Sequence, residues 1–252
     1  MRRTVLHIFL TVACSYAAVA QTALDEFERG NTSYREGNYE QAVVSYESIV
    51  KQGLASSSLY FNIGNCYYRM GKIAPAIVAY ERALRLQPND ADIKHNLELV
   101  NLKTLDRIEP LPELFFIEWL RSFSAVVPLH TTARLFAACW LLLFACLSLF
   151  YLLTNPALLR FLRGLAIASA IALIPLTIVV VTQIVDSRNR TDAVITSSVV
   201  TAKTSPDAQS LDAFVAHEGL KVKLSDAVGE WMKIVLPDGK VGWIRSQDCE
   251  RI

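Results

Sequence analysis

Two stretches of this 252-residue chain, 135–154 (LFAACWLLLFACLSLFYLLT) and 164–185 (GLAIASAIALIPLTIVVVTQIV), carry no charged side chain. Each is long enough to cross roughly 30 Å of hydrocarbon at about 1.5 Å rise per residue, and a backbone in that medium has to satisfy its own polar groups, so both read as transmembrane helices. Pro175 falls inside the second and is expected to kink it. Ser148, Ser169, Thr177, Thr182 and Gln183 are polar, but none is ionisable. Ion and proton pathways use ionisable groups within the membrane, so the pair reads as an anchor rather than a transporter. Gly164, Ala168 and Ala172 form a small-residue stripe at four-residue spacing, which lets another helix approach. The short connector, 155–163, makes the first span the expected partner.

The N-terminus combines Arg2 and Arg3, an apolar run from Val5 to about Ala13, and Ala18-Val19-Ala20 before Gln21. That is the pattern of a secretory signal peptide over 1–20, cleaved after Ala20. Two alternatives stay open: an uncleaved anchor helix, and lipidation at Cys14, which Thr11 disfavours by standing where a lipobox has Leu. Arg160 and Arg163 in the connector favour the cytoplasm, while Arg121, Arg134, Arg188 and Arg190 flank the outer ends and pull the other way. The leader decides the orientation. Expected is a bacterial inner-membrane protein with two spans, a cytoplasmic connector, and everything else on the periplasmic side. Between residue 108 and the first span, 109–134 is rich in aromatics and reads either as an interfacial segment or as a linker.

A second pattern lies in 21–108. Gly30, Gly37, Ala42, Tyr46 and Glu47 recur 34 residues later as Gly64, Gly71, Ala76, Tyr80 and Glu81. Small residues at 30, 64, 42 and 76 suit positions where two helices cross, Tyr46 and Tyr80 fill the space beside them, and Gly37 and Gly71 open the intervening turns. A period of 34 with this content is that of paired-helix repeats, here 23–56 and 57–90. A capping helix is expected after Pro88, started by Asn89 or Asp90, with Ile93, Leu97, Val100 and Leu105 as its apolar stripe.

The second unit, with Tyr60, Ile63, Gly64, Tyr67, Gly71, Ala76, Tyr80, Ala83 and Pro88, resembles a tetratricopeptide repeat; the first is weaker, with Ser33 where Tyr67 stands and no closing Pro. In that family the first helix of each unit lines a concave groove. The resemblance carries that role onto Phe27, Asn31, Tyr34 and Arg35, then Phe61, Asn62, Asn65, Tyr68 and Arg69. Asparagine offers a donor and an acceptor to the backbone of an extended peptide. Asn31 and Asn62 also fall where the carboxylate-clamp subfamily keeps its asparagines, but Phe27, Asp92 and Asn96 replace the clamp's cations, which excludes a clamp for chaperone tails. A purely local role for Asn31 and Asn65, capping backbone, stands beside the binding reading.

After the polar linker 186–192, residues 193–252 alternate like strands, and Asp238-Gly239 between MKIVL and KVGWI is a hairpin signal. T-S-P, E-G-L-K-V and W-M-K-I-V-L-x-D-G-K-x-G-W-I together resemble a bacterial Src-homology-3-like domain, which implies a small β-barrel. Trp243 is expected to pack. Trp231 is a candidate ligand contact.

A formal net charge of +1 excludes a field that draws in nucleic acid. Five dispersed cysteines without a C-x-x-C pair, and four scattered histidines, predict neither a disulfide framework nor a metal site. There is no H-E-x-x-H, G-x-S-x-G or phosphate loop, so no enzyme and no cofactor are expected. The fold class expected is multidomain α plus β: tetratricopeptide repeats, a two-helix transmembrane hairpin and a C-terminal barrel. That order resembles the BatE proteins of the Bacteroides aerotolerance operon. The resemblance implies a membrane scaffold whose partners are other Bat-type membrane proteins, acting in tolerance of oxygen or stress. The competing expectation is an envelope sensor whose barrel binds peptidoglycan.

Overall fold

The computed structural model describes residues 21–109, 111, 127, 129–188 and 191–252. The expected signal peptide and nearly all of the aromatic segment before the first span lie outside the described residues. What is described divides into two compact units, one built from the chain before 111 together with 191–252, the other from 111–190.

The helical part of the first unit consists of α1 (21–35), α2 (Tyr39–Lys51), α3 (Ser57–Arg69), α4 (Ile73–Leu86) and α5 (Ala91–Asn101). The turns within the two repeats, between α1 and α2 and between α3 and α4, pass through Gly37 and Gly71 at φ 81° and 72°, which side chains with a Cβ adopt only under strain. Ser56 caps α3 by accepting from the Leu59 amide, and Asp90, rather than Asn89, caps α5 by accepting from Asp92 and Ile93. The core between the two repeats is Ala42, Val43, Tyr46, Ile49, Leu59, Ile63, Cys66 and Ala79, with Tyr46 and Tyr80 each 1% exposed.

The C-terminal strands are β1 (Asp192–Ile195), β2 (Val199–Lys203), β3 (Asp212–His217), β4 (Lys221–Val228), β5 (Trp231–Val235), β6 (Val241–Arg245) and β7 (Cys249–Arg251). The expected hairpin is present: β5 and β6 pair antiparallel from Trp231↔Arg245 to Val235↔Val241 around Asp238-Gly239. The expected barrel is not. The strands form one antiparallel sheet in the order β3-β2-β6-β5-β4-β1-β7, with β3 and β7 as unjoined edges. Closure fails because the β1–β7 side is occupied by helix instead of by β3. Val194 and Ile252 enter the same core as Ala74, Ile77, Val78, Ile93, Leu97 and Val100 of α4 and α5. The strand β1 therefore shows buried residues in succession, Ala193, Val194 and Ile195, instead of alternation.

Polar contacts ring that apolar seam. Lys221 Nζ pairs with Glu81 at 2.8 Å and Asp192 at 3.4 Å, and Arg82 pairs with Glu250 at 2.8 Å. Arg82 also donates to the Arg251 carbonyl at 2.9 Å, and Arg85 donates to that of Ile252. Beyond α5, Asp106 accepts from the His217 backbone amide at 2.6 Å and faces His217 Nδ1 at 2.9 Å. Repeats and sheet are thus one body.

In the second unit α6 (Leu129–Leu152) and α7 (Pro156–Arg188) fold back on each other, with Asn155 Oδ1 capping α7 through the amides of Ala157 and Leu158. Both are long and apolar enough to cross a membrane. Cys146, Leu162, Ser169, Leu173 and Val179 are buried, and Thr132 Oγ1 donates to Gln183 Oε1 across the pair at 2.6 Å. The small-residue stripe is not the seam, contrary to expectation. A Cβ on Gly164 would meet nothing within 4 Å, because Leu162, Ser169 and Leu173 set the inward face of α7 and turn Gly164 and Ala168 outward.

Candidate functional site

The concave face of the repeats begins with a close approach. A Cβ on Gly30 would lie 2.5 Å from Tyr46 Cε1, and one on Gly64 would lie 2.7 Å from the Tyr80 ring, so glycine lets each tyrosine lie flat against the first helix of its unit. The ring carries its hydroxyl to the asparagine that directly follows the glycine in sequence. Tyr46 donates to Asn31 Oδ1 at 2.8 Å and Tyr80 to Asn65 Oδ1 at 2.7 Å. A second asparagine closes each group, from α3 in one case and from the capping helix α5 in the other: Asn62 Nδ2 reaches Asn31 Oδ1 at 3.5 Å, and Asn96 Nδ2 reaches Asn65 Oδ1 at 3.1 Å.

Two Tyr-Asn-Asn groups, 34 residues apart, therefore join α1, α2 and α3, and α3, α4 and α5. With Oδ1 of Asn31 and Asn65 taken by two donors, the amide nitrogen is what each has left to offer a ligand. Burial pushes the Tyr46 hydroxyl up to about 12 and raises that of Tyr80 as well, so both remain protonated donors under ordinary conditions.

The other sequence candidates divide by role. Phe27 and Phe61 pack on the tyrosine rings, Phe27–Tyr46 at 5.7 Å and Phe61–Tyr80 at 5.9 Å between centroids, again one period apart. Tyr34 packs edge-on against Tyr39 at 5.4 Å, and Arg69 donates through Nε to the Tyr39 hydroxyl at 3.1 Å while lying over its ring. Arg35 is exposed and bonds the Thr32 hydroxyl at 3.0 Å. Tyr68 is half-buried, with Lys103 Nζ 4.2 Å from its ring centre.

Asn96 and Lys103, which contact the candidates Asn65 and Tyr68, were not among the residues that sequence reasoning singled out for the site. Asn96 was legible: it follows Asn62 by the period of the repeat, as Asn65 follows Asn31. Lys103 lies past the repeated residues, and no local pattern marks it.

On the sheet, Trp243 is buried on a face where antiparallel neighbours Lys203 and Lys233 lie directly opposite it, and Lys233 Nζ is 5.9 Å from its ring. Trp231 is half-buried under Arg245, its cross-strand partner, at 5.7 Å. No group of three or more His, Cys, Asp or Glu that could hold a metal occurs among the described residues.

Residues 57–90 match the family model of the tetratricopeptide repeat, and they are one such repeat, formed by α3 and α4. No sequence match was found among curated proteins. Among solved structures the chain is similar to the first TPR of Spaghetti (RPAP3) bound to an HSP90 peptide, SRMEEVD. Identity is 22%, coverage 32% of this chain and 94% of that one, and the TM-score 0.24. Tetratricopeptide repeats are protein-interaction modules, and 57–90 is a repeat of that class.

Proposed function

We propose that the protein is a non-enzymatic, membrane-anchored scaffold that holds an extended segment of a partner protein in the concave face of its repeats. The observation that carries this reading is the pair of Tyr-Asn-Asn groups. They pin α1, α3 and the capping helix α5 in register, and they leave amide donors on the helices that carry Arg35 and Tyr68. A short groove of this kind gains from confinement to a membrane, where partners meet at high local concentration.

The contact between sheet and repeats supports a hairpin anchor. Chain segments on either side of α6 and α7 share one core through Val194, Ile252 and α4, so they have to lie on the same side of any bilayer the helices cross. With the leader read from the sequence, that side is the periplasm and the connector is cytoplasmic. The arrangement fits the BatE-like role in aerotolerance, with other Bat-type membrane proteins as partners. In this account the Src-homology-3-like segment is a buttress on α4 rather than an independent peptidoglycan receptor, since its β1–β7 edge is spent on the helices.

The test is partner capture from solubilised membranes by the full chain and by its Arg35→Glu/Tyr68→Ala variant, which leaves both Tyr-Asn-Asn groups intact. Recovery of the captured proteins should fall several-fold in the variant. Unchanged recovery would contradict the groove assignment.

A further inference from the structure

Beside its connector the helical hairpin leaves a groove of about 320 Å³ between α6 and α7, lined by Cys146, Leu147, Phe150, Leu162, Ala166 and Arg163. All but one of these are apolar or nearly so. The exception, Arg163, lies at one end of the charge-free run 164–185, with its guanidinium carbon 5.8 Å from the centre of the Phe150 ring. Arg160, one turn earlier on α7, donates through Nε to the Pro156 carbonyl at 3.4 Å and is likewise exposed.

These two cations have no acid nearby in sequence. From 129 to 185 the chain contains neither Asp nor Glu, so no carboxylate of the spans or the connector can neutralise them. In a hairpin that crosses a bilayer, Arg163 stands at the boundary between headgroups and hydrocarbon, where a long cationic side chain keeps its stem in the apolar layer and its charge outside. Inward from Arg163, the groove wall on α7 continues through Ala166 to Ala170, about 10 Å at 1.5 Å per residue. Ile167 also lines that wall, and the small side chains of Ala166 and Ala170 leave room on either side of it. A cation pair at the interface above an apolar channel matches one ligand in both parts: an anion carried on a hydrocarbon chain.

We propose that this groove binds an anionic phospholipid of the leaflet facing the connector, with its phosphate against Arg163 and Arg160 and one acyl chain along Ala166 and Ala170. The inference rests on the reading of α6 and α7 as a membrane hairpin and goes beyond it.

The experiment is native mass spectrometry of the full chain in detergent, supplied with phosphatidylglycerol or phosphatidylcholine of matched acyl chains. The wild-type chain should retain several-fold more phosphatidylglycerol. Arg160→Gln/Arg163→Gln should reduce that to the phosphatidylcholine level, while Arg163→Lys keeps most of it. Ala166→Leu/Ala170→Leu should reduce retention with both arginines in place, and circular dichroism should show the same helix content in every variant. Equal retention of the two lipids, indifference to either pair of substitutions, or a second copy of the chain in place of lipid would each overturn the proposal. Extraction of the wild-type chain from membranes by alkaline carbonate would instead overturn the hairpin reading itself, whereas membrane retention without lipid preference removes only the lipid site.

Discussion

Lys221 Nζ stands 2.8 Å from Glu81 Oε2, tying β4 to α4 across 140 positions of sequence. The pair marks the rim of the seam, and it is not what holds the seam. An ion pair with one partner this accessible contributes little, so Lys221→Ala should cost under about 1 kcal/mol. Gly219→Ala should cost more, about 1–3 kcal/mol. Its Cβ would lie 2.7 Å from Thr104 Cγ2 and 3.1 Å from Ile77 Cδ1, at a φ of +86°. Urea unfolding of the full chain in detergent compares them, and a larger loss for Lys221→Ala would contradict this account of the seam.

Gly64 faces the same kind of constraint inside a repeat. Alanine there gains up to about 1 kcal/mol of helix propensity, but its Cβ would meet a Tyr80 ring that is 1% exposed and has nowhere to move. Overpacking of this sort costs about 1–3 kcal/mol. Gly64→Ala should therefore destabilise the helices in a denaturant titration followed by circular dichroism; a gain in stability would show that the ring yields.

The Tyr-Asn-Asn groups predict coupling. Tyr80→Phe removes one donor from Asn65 Oδ1 and should cost about 0.5–1.5 kcal/mol, while Asn65→Ala leaves both the Tyr80 hydroxyl and Asn96 without that acceptor. In a double-mutant cycle the two changes should fall short of additivity by at least about 0.5 kcal/mol. Strict additivity would mean that the bond contributes nothing to stability.

Alkali tests the same region. Burial raises the Tyr46 hydroxyl from 10.0 to about 12, and Tyr80 and Tyr67 are also raised, Tyr67 by burial and then by its bond to Glu47. The folded state prefers the neutral phenol, so this contribution to stability is fully present below pH 10 and is lost as the pH climbs through the folded value near 12. Absorbance titration should show these phenols ionising later than the exposed tyrosines, together with loss of helix. Ionisation of every tyrosine near pH 10 with helices intact would contradict their burial.

Much of this was legible in the chain because repetition is a strong signal. Glycine and tyrosine at a period of 34 locate the helices, their crossings and their turns. The asparagine groups were half legible: reading Asn96 against a clamp motif hid its relation to Asn62. The docking of the sheet was harder to read, although α4 carried a clue. Ala74, Ala76, Ile77, Val78, Ala79, Tyr80 and Ala83 are all buried, more than one packed face requires, and a helix apolar on most sides is covered on most sides. The open sheet was not legible at all. Alternation identifies strands, but whether β3 meets β7 depends on what else covers β7, and here Ile252 and Val194 commit that edge to α4.

The central claim is that repeats and sheet form one body on one side of a two-helix membrane anchor. Cysteines introduced singly at the exposed positions Ser58 in α3, Gln209 before β3 and Ala157 in the connector, with the native cysteines replaced, can be probed in cells by a membrane-impermeant maleimide. The account predicts that positions 58 and 209 are labelled together from the periplasmic side, and that 157 reacts only after the inner membrane is broken. Labelling of 58 and 209 from opposite sides, or of 157 together with them, would contradict it.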